Sequence, residues 1–360
     1  MLKFLKKYFL LFADILNKIR AFTKKRILAF LSFAFAFCLV FGCIFLTISR
    51  SIAIKQMRFQ MAQMISYLNE FGLDIAYNDV EFNAIFFYPL VTFRDFQIYN
   101  TKDLNTWVLK FDEIKGYSNL FGSTRVRFDF SNDGLFVFND FSSKMKAEDT
   151  VLTLSCKNRK LDEIVFHATD VNIHNFAKIK KIAFWAQATP LRPSETSHPS
   201  YESLFEINDV DINGLINYPL SSHLKLLYVK ASLIGSIDAS EQLTASLETW
   251  LKNGGFIDVQ NLVIQWHPLT LVGRGSINFN ELFAPRLNFN TSSKGLLRLI
   301  DDLENKSFLD SKNVFVANIL LSNKAFKLNP EDEELTISTP ISYADGKVSV
   351  ENLTIKDFNK

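Results

Sequence analysis

The chain has 360 residues, of which 48% are hydrophobic and 22% are charged, so it can bury a sizeable core and is not largely disordered. Its three cysteines exclude a disulfide scaffold and lack the spacing of a zinc site. The net charge of +2 hides a segregation of charge. Residues 1–26 carry eight basic side chains against Asp14, hence +7, whereas the rest of the chain carries 32 basic and 37 acidic side chains. Because no basic stripe runs through this larger part, we expect no nucleic-acid partner.

The basic segment 1–26 also has apolar residues at helical spacing, among them Phe4, Tyr8, Phe12 and Ile19. This pattern is typical of a basic amphipathic helix on the cytoplasmic leaflet, where lysine and arginine approach anionic lipid. The alternative is that the charges only set the topology. Both interpretations remain open from the sequence.

Residues 27–48 run for 22 positions without a charged side chain. At about 1.5 Å per residue, such a helix crosses the roughly 30 Å hydrocarbon core of a bilayer. The heavier positive flank precedes this segment, and positive flanks stay in the cytoplasm. The sequence therefore predicts a single-pass protein of the bacterial inner membrane, with a cytoplasmic N-terminus and a periplasmic body.

Two other interpretations of this segment are weaker. A cleaved signal peptide has a shorter apolar region than this one. The residues Val40-Phe41-Gly42-Cys43 resemble a bacterial lipoprotein box in which Cys43 would be acylated, but the apolar run continues beyond Cys43. We expect an uncleaved helix in which Cys43 is a small apolar membrane residue.

Residues 49–72 predict a helical stalk that continues out of the membrane. Its apolar residues step by three and four positions, as in a heptad pattern: Ile54, Met57, Met61, Met64, Leu68 and Phe71. This stripe fits either a stalk that forms a homodimer or a helix packed on its own domain. Three heptads are few, which favours packing on the domain.

Beyond residue 72 the apolar period changes to two, which indicates strands with one buried face and mainly antiparallel pairing. Examples are Arg125–Phe130, Asp170–Ile173, Asp209–Ile212, Ser276–Phe279, Leu287–Asn290 and Lys347–Val350. Two further runs, Leu135–Phe138 and Asn313–Val316, predict strands that are apolar on both faces. The fold class is mainly β with an N-terminal transmembrane helix, and a large curved or two-layer antiparallel sheet with a few helices.

Two helices are expected between the strands, over Ser240–Lys252 with Gly254 as its C-cap, and over Gly295–Asn305. The proline-rich segment Thr189–Ser200 is either a surface loop or a boundary between two β-rich subdomains, at 73–188 and 201–360. Four segments share an acid or amide followed by apolar, polar and apolar residues; they begin at Asp95, Asp170, Asp209 and Asn352 or their neighbours. Strands with a polar outer face explain this similarity without true repeats.

The chain lacks the sequence patterns of common catalytic sites. Its five histidines form no HExxH pattern, and neither a GxSxG motif nor a phosphate-cradling glycine loop follows any predicted strand. The acidic run Glu331–Glu334 is better explained as a solvated face than as a cation site. We therefore expect no enzyme activity, no cofactor and no bound metal.

The C-terminal half resembles a bacterial membrane-anchored family known as domain of unknown function 2125. The residues that carry this resemblance are Trp250, Gly254, Gly255, Trp266, Pro268, Gly273, Gly275, Pro285 and the helix at Gly295–Leu303. His267 stands where the family typically has glycine, and Tyr77–Asn100 lacks the family's usual pattern. These motifs are structural, so the resemblance implies no catalytic residues. The layout is also similar to AsmA-like envelope proteins, whose curved sheet is thought to hold lipid tails.

The Trp266 motif carries a specific structural expectation. Leu262, Ile264 and Trp266 alternate and should share one face, whereas His267 should lie on the wetter side and Pro268 should end the strand pairing. For function, the sequence favours a periplasmic binding module that holds or passes lipid acyl chains, with membrane lipids as partners. The alternative is a structural or assembly factor that engages other envelope proteins through its sheet edge or stalk.

Overall fold

The computed structural model describes most of the chain from residue 39 onward. The described residues are 39–62, 65–66, 69, 73–85, 88–100, 107–118, 124–139, 141–157, 160–189, 199–213, 220–235, 243–280, 284–306, 311–327, 335–351 and 353–357. The basic segment 1–26 and the first part of the predicted span, 27–38, lie outside this set, as does most of the proline-rich loop.

Four helices and 18 strands are described. The helices are α1 (Leu39–Ala62), α2 (Leu243–Lys252), α3 (Leu296–Asn305) and α4 (Ser311–Ser322). The strands are β1 (Leu73–Ala76), β2 (Asp79–Ile85), β3 (Tyr88–Asn100), β4 (Trp107–Ser118), β5 (Thr124–Phe130), β6 (Asp133–Phe138), β7 (Phe141–Lys157), β8 (Lys160–Ile173), β9 (Ala177–Ala188), β10 (Pro199–Ile212), β11 (His223–Ile234), β12 (Phe256–Trp266), β13 (Leu269–Phe279), β14 (Pro285–Lys294), β15 (Ala325–Phe326), β16 (Thr336–Ala344), β17 (Lys347–Val350) and β18 (Leu353–Asp357).

All strands belong to one antiparallel sheet that follows the chain as a meander. From β7 to β14 each strand pairs with the next one along the chain. Two short strands share one side of a longer strand at three places: β1 and β2 beside β3, β5 and β6 between β4 and β7, and β15 and β17 beside β16. The predicted fold class is confirmed. The two predicted β-rich segments share this sheet, because β9 and β10 pair along most of their length.

Helix α1 is long and apolar enough to cross a membrane. Its first half exposes large apolar side chains around its circumference, including Phe41, Ile44, Phe45 and Ile48. A helix that is apolar on all sides and not covered by protein is suited to lipid rather than water. The described part of α1 therefore agrees with the end of the predicted span.

The second half of α1 packs on the sheet instead. Ser49, Ala53, Met57 and Met61, which are spaced four residues apart, are all buried. Met57 and Met61 join a core cluster with Phe93, Phe96, Phe111, Ile114 and Phe128 from β3, β4 and β5. The prediction that this stripe packs on its own domain is confirmed for these two methionines, whereas Met64, Leu68 and Phe71 lie outside the described residues.

One sequence prediction of a strand is wrong. Asn313–Val316 belongs to helix α4, not to a strand. The run is apolar on both strand faces, but Val314, Ala317 and Leu321 are buried at spacings of three and four, which is helical. Val314 and Leu321 pack in one cluster with Ile300 of α3 and Ile337 of β16, so tertiary packing selects the helix.

The strands are interrupted along a common line by residues in the left-handed backbone region. Asp95, Asp149, Asp170 and Asp209 have φ between 48° and 51° within β3, β7, β8 and β10. The pairing registers place Asp170 and Asp209 opposite Lys180 of β9, and Asp149 opposite Ala168, two positions before Asp170. We call these four aspartates the left-handed row.

Each member of the left-handed row shifts the alternation of the strand by one residue. Phe93 and Phe96 flank Asp95 and both lie in the same core cluster, although they are three positions apart. Ala168 and Val171 flank Asp170 in the same way, in another cluster. The similarity among the four sequence segments has a physical cause here, because Asp95, Asp170, Asp209 and Glu351 all have positive φ.

Replacement of Asp170 by glycine is expected to leave stability unchanged or slightly raised, whereas valine should lower it by about 1–2 kcal/mol. A side chain with a branched Cβ is strained in the left-handed region and glycine is not. Asp170 is exposed and suits this test, because packing changes little. Thermal unfolding of the detergent-solubilised full chain measures the difference. The control is Lys178→Val, at an exposed position of β9 with ordinary strand geometry, and an equal loss there would contradict the backbone explanation.

Candidate functional site

The registers of the sheet define a continuous row of facing residues. In an antiparallel sheet, residues directly opposite each other lie on the same face. One such row contains Phe82, Val91, Gly116, Phe128, Leu152, Phe166, Phe184, Phe205, Val229, Leu262, Gly273, Thr291 and Thr339. We call the face that carries this row the apolar face.

The neighbouring rows of the apolar face have the same character. One contains Ala168, Ile182, Ile207, Leu227, Ile264, Leu271, Ser293 and Ile337, and the other contains Ile164, Ala186, Ser203, Ala231, Val259, Gly275, Phe289 and Ile341. Across β8 to β13 only Ser203 contributes a polar side chain to these three rows.

The opposite face of the same strands is more polar. Its row next to Ile164 contains Glu163, Gln187, Glu202, Ser232, Asp258, Ser276, Asn288 and Ser342. On this face the Lys181 ammonium lies 3.0 Å from the Glu206 carboxylate, and its hydrogen bond, with one from Asn208, lowers the pKa of Glu206 below its usual range. The opposite face is therefore more polar than the apolar face, although it also carries Val165, Trp185 and Leu204.

The two ends of the apolar face are covered by helices. At the β2–β5 end, Met57 and Met61 of α1 pack against it. At the β13–β16 end, α3 and α4 cover Leu269, Ile337 and Ile341. The third described cluster, under β8 and β9, contains strand residues alone.

Between these ends the large apolar side chains are half-buried rather than buried. Phe166, Phe184, Phe205, Val229 and Leu262 all keep part of their surface accessible. The buried residues of the neighbouring rows include the small Ala168, Ala186 and Ala231, together with Val259 and Leu271 toward the helix-covered β13–β16 end. If a second layer packed on this face, the phenylalanine side chains would be the most deeply buried, because they extend farthest from the sheet. We call Phe166, Phe184, Phe205, Val229 and Leu262 the central row.

The residues that carry the family resemblance have structural roles around the β11–β14 end of the sheet. Trp250 of α2 is buried, and its indole N–H donates a hydrogen bond to the Ile234 carbonyl at 2.6 Å. A Cβ on Gly255 would lie 2.2 Å from the Trp250 Nε1 atom, so only glycine fits there. Gly254 ends α2 with φ of 79°, which confirms the predicted C-cap.

The remaining motif residues shape the turns next to these strands. Trp266 ends β12 on the face of Leu262 and Ile264, as predicted, and its indole N–H donates to the Ser221 carbonyl at 2.7 Å. Pro268 is buried in the following turn and His267 is exposed. Gly273 and Gly275 lie in β13, and Pro285 begins β14. None of the motif residues brings titratable groups together.

Among the described residues, no group of three or more histidine, cysteine, aspartate or glutamate side chains could hold a metal ion. His223 lies 2.8 Å from Asp211 and 3.7 Å from Asp209 on the exposed surface. This imidazole–carboxylate hydrogen bond lies at the end of the left-handed row. The sequence missed the central row because its members are recognisable only through the strand registers.

Comparison with protein families identifies the family to which the chain belongs. A family model described as an uncharacterised protein conserved in bacteria, DUF2125, matches residues 55–355. The chain belongs to this family. The match begins within α1 and ends in β18, so it covers the sheet except for the last two residues of β18. The comparison with curated proteins found no match.

Proposed function

We propose that this DUF2125 protein holds or passes lipid acyl chains on its apolar face in the bacterial envelope. The observation that carries the proposal is the half-buried central row on a sheet whose opposite face is more polar. Large apolar side chains that stay partly accessible on five neighbouring strands suit an apolar partner. With about 4.8 Å between strands, the central row extends about 19 Å along the sheet. An acyl chain spans half of a roughly 30 Å hydrocarbon core, so one chain fits along the row.

The position of α1 supports this proposal. After its lipid-suited segment, the helix packs on the apolar face of the sheet, where Met57 and Met61 share a buried cluster with Phe93. Lipid that follows the helix out of the bilayer would meet this apolar cluster, next to the Arg58 guanidinium, which lies 4.9 Å from the centroid of the Phe82 ring. Arg50 lies between the two segments and donates a hydrogen bond to the Asn83 side chain at 2.7 Å.

Photo-crosslinking from single positions tests the proposal. Benzoylphenylalanine replaces Phe184 or Phe205 on the apolar face, and replaces Trp185 or Leu204, their chain neighbours, on the opposite face. After illumination of the full chain in its native membrane, mass spectrometry identifies the adducts. We expect phospholipid adducts from positions 184 and 205 and few from 185 and 204.

The control positions 185 and 204 distinguish binding at the apolar face from general contact with lipid. Equal lipid labelling from both faces would indicate contact with the bilayer and would contradict a dedicated face. Adducts of protein at positions 184 and 205 would instead support the assembly factor as the function. A stalk homodimer is a less favoured partner for that role, because the described Met57 and Met61 pack on the chain's own sheet.

We also propose that the body lies in the periplasm, which the acyl-chain role requires. The +7 charge of residues 1–26 supports a cytoplasmic N-terminus. A reporter that is active only in the periplasm should therefore be active when fused after Lys360 and silent when fused after Arg26. The reverse pattern would place the sheet in the cytoplasm and remove the proposed access to envelope lipids.

A further inference from the structure

Helix α4 exposes large apolar side chains on the side that faces away from the core. Val314, Ala317 and Leu321 are buried, whereas Phe315 is 68% exposed and Ile319 is 49% exposed. Val316 and Leu320 extend this exposed surface. An amphipathic surface helix would carry polar residues there, so α4 is suited to a partner that covers it.

A groove runs between α3 and α4 next to these side chains. Its volume of about 640 Å³ lies in the range of binding sites, and its described lining is Glu304, Val314, Phe315, Asn318, Ile319, Ser322 and Asn323. The Asn318 side-chain amide donates to the Asp301 carboxylate at 2.8 Å. Its carbonyl oxygen is buried and has no hydrogen-bond partner.

We propose that the groove of α3 and α4 docks an amphipathic helix of a partner protein that carries lysine or arginine beside an apolar row. Apolar side chains of such a helix would cover Phe315 and Ile319, as in helix-in-groove recognition. The only charged side chain in the described lining is Glu304, and Asp301 lies beside Asn318. Lys324 is paired with Glu351. The negative charge favours a cationic helix and disfavours an anionic bilayer surface.

Two labelled synthetic peptides with the same leucine pattern probe this groove. One carries lysine at its polar positions and the other carries glutamate. Fluorescence anisotropy measures their binding to the full chain in phosphatidylcholine nanodiscs, with empty nanodiscs as the background. We expect the lysine peptide to bind about tenfold more tightly than the glutamate peptide, because Glu304 is the charged side chain of the described lining and Asp301 lies beside Asn318.

Three variants test whether the lysine peptide binds in the groove. Phe315→Ser combined with Ile319→Ser should weaken binding of the lysine peptide about tenfold, as for removal of interface anchors. Glu304→Gln should reduce the difference in affinity between the lysine and glutamate peptides, because it removes the negative charge of the groove lining. Phe59→Ser, at a residue of α1 that is 64% exposed, is the control and should leave binding unchanged. Equal binding of the two peptides, or binding that survives the double substitution, would overturn the proposal. A second assay measures binding to anionic phospholipid vesicles. If the unmodified chain binds them and the double variant does not, the surface binds a membrane and the helix-docking proposal is overturned.

Discussion

Replacement of Trp250 by alanine is expected to lower the free energy of unfolding by about 3–5 kcal/mol. Trp250 is only 3% exposed and its indole packs against Gly235, Gly255 and Phe279. The substitution leaves a large cavity and removes the hydrogen bond to the Ile234 carbonyl. Among the described side chains of α2, Trp250 is the buried one. Without its indole, we expect α2 to detach from β11 and β12.

Two further variants separate the causes of this loss. Trp250→Phe keeps most of the ring packing and loses the indole N–H, so it should cost less than alanine. Trp266→Ala should cost about 1–3 kcal/mol, because Trp266 is half-buried and loses less buried surface. Denaturant unfolding of the detergent-solubilised full chain, followed by circular dichroism, ranks the three variants. A Trp250→Ala protein as stable as Trp266→Ala would contradict the structural role assigned to Trp250.

Replacement of Gly275 by alanine is expected to destabilise the sheet by about 3 kcal/mol, the upper end of the usual cost of overpacking. A Cβ at this position would lie 2.0 Å from the Asn288 carbonyl oxygen and 2.7 Å from the Phe289 Cα atom. Both are backbone atoms of β14, so neither can rotate away. Strands β13 and β14 must therefore separate locally to make room for the methyl group of an alanine at position 275.

The matched control is Gly273→Ala on the same strand and the same face. Its Cβ would meet the Thr291 Cγ2 atom at 3.0 Å and the Asn290 carbonyl oxygen at 3.1 Å. These contacts are tight but need only a small shift, so we expect a loss of about 1 kcal/mol. Melting temperatures of the two variants in the same detergent test the order. A reversed order would mean that the approach of β14 to β13 does not explain the Gly-Arg-Gly sequence.

The sequence predicted the fold class because alternation is a local signal. Each strand shows its buried face through its own residues, as in Arg125–Phe130 of β5. The helix α3 and the cap at Gly254 were predicted for the same reason, since Leu296 and Ile300 have helical spacing. Local signals also explain the error at Asn313–Val316, where a short apolar run does not distinguish a strand from a helix.

The candidate site could not be predicted, because it depends on registers between distant strands. Phe166 and Phe205 are far apart in the chain, and only the pairings of β8, β9 and β10 bring them into one row. The phase shift at each left-handed aspartate also hides the continuity of the apolar face. A reader who expects strict alternation through Asp170 would assign Ala168 and Val171 to opposite faces, although both are buried together.

The meander has a consequence for how the protein is made and how its length can change. Strands from β7 to β14 pair with the strand that precedes them in the chain, so their contacts are local. Local contacts favour fast folding, and each hairpin can join the growing edge as soon as it is synthesised. No later strand has to insert between two earlier ones along this stretch. Gain or loss of one hairpin would therefore change the sheet by about 10 Å and leave the contacts of α1 at one end, and of α3 and α4 at the other, in place.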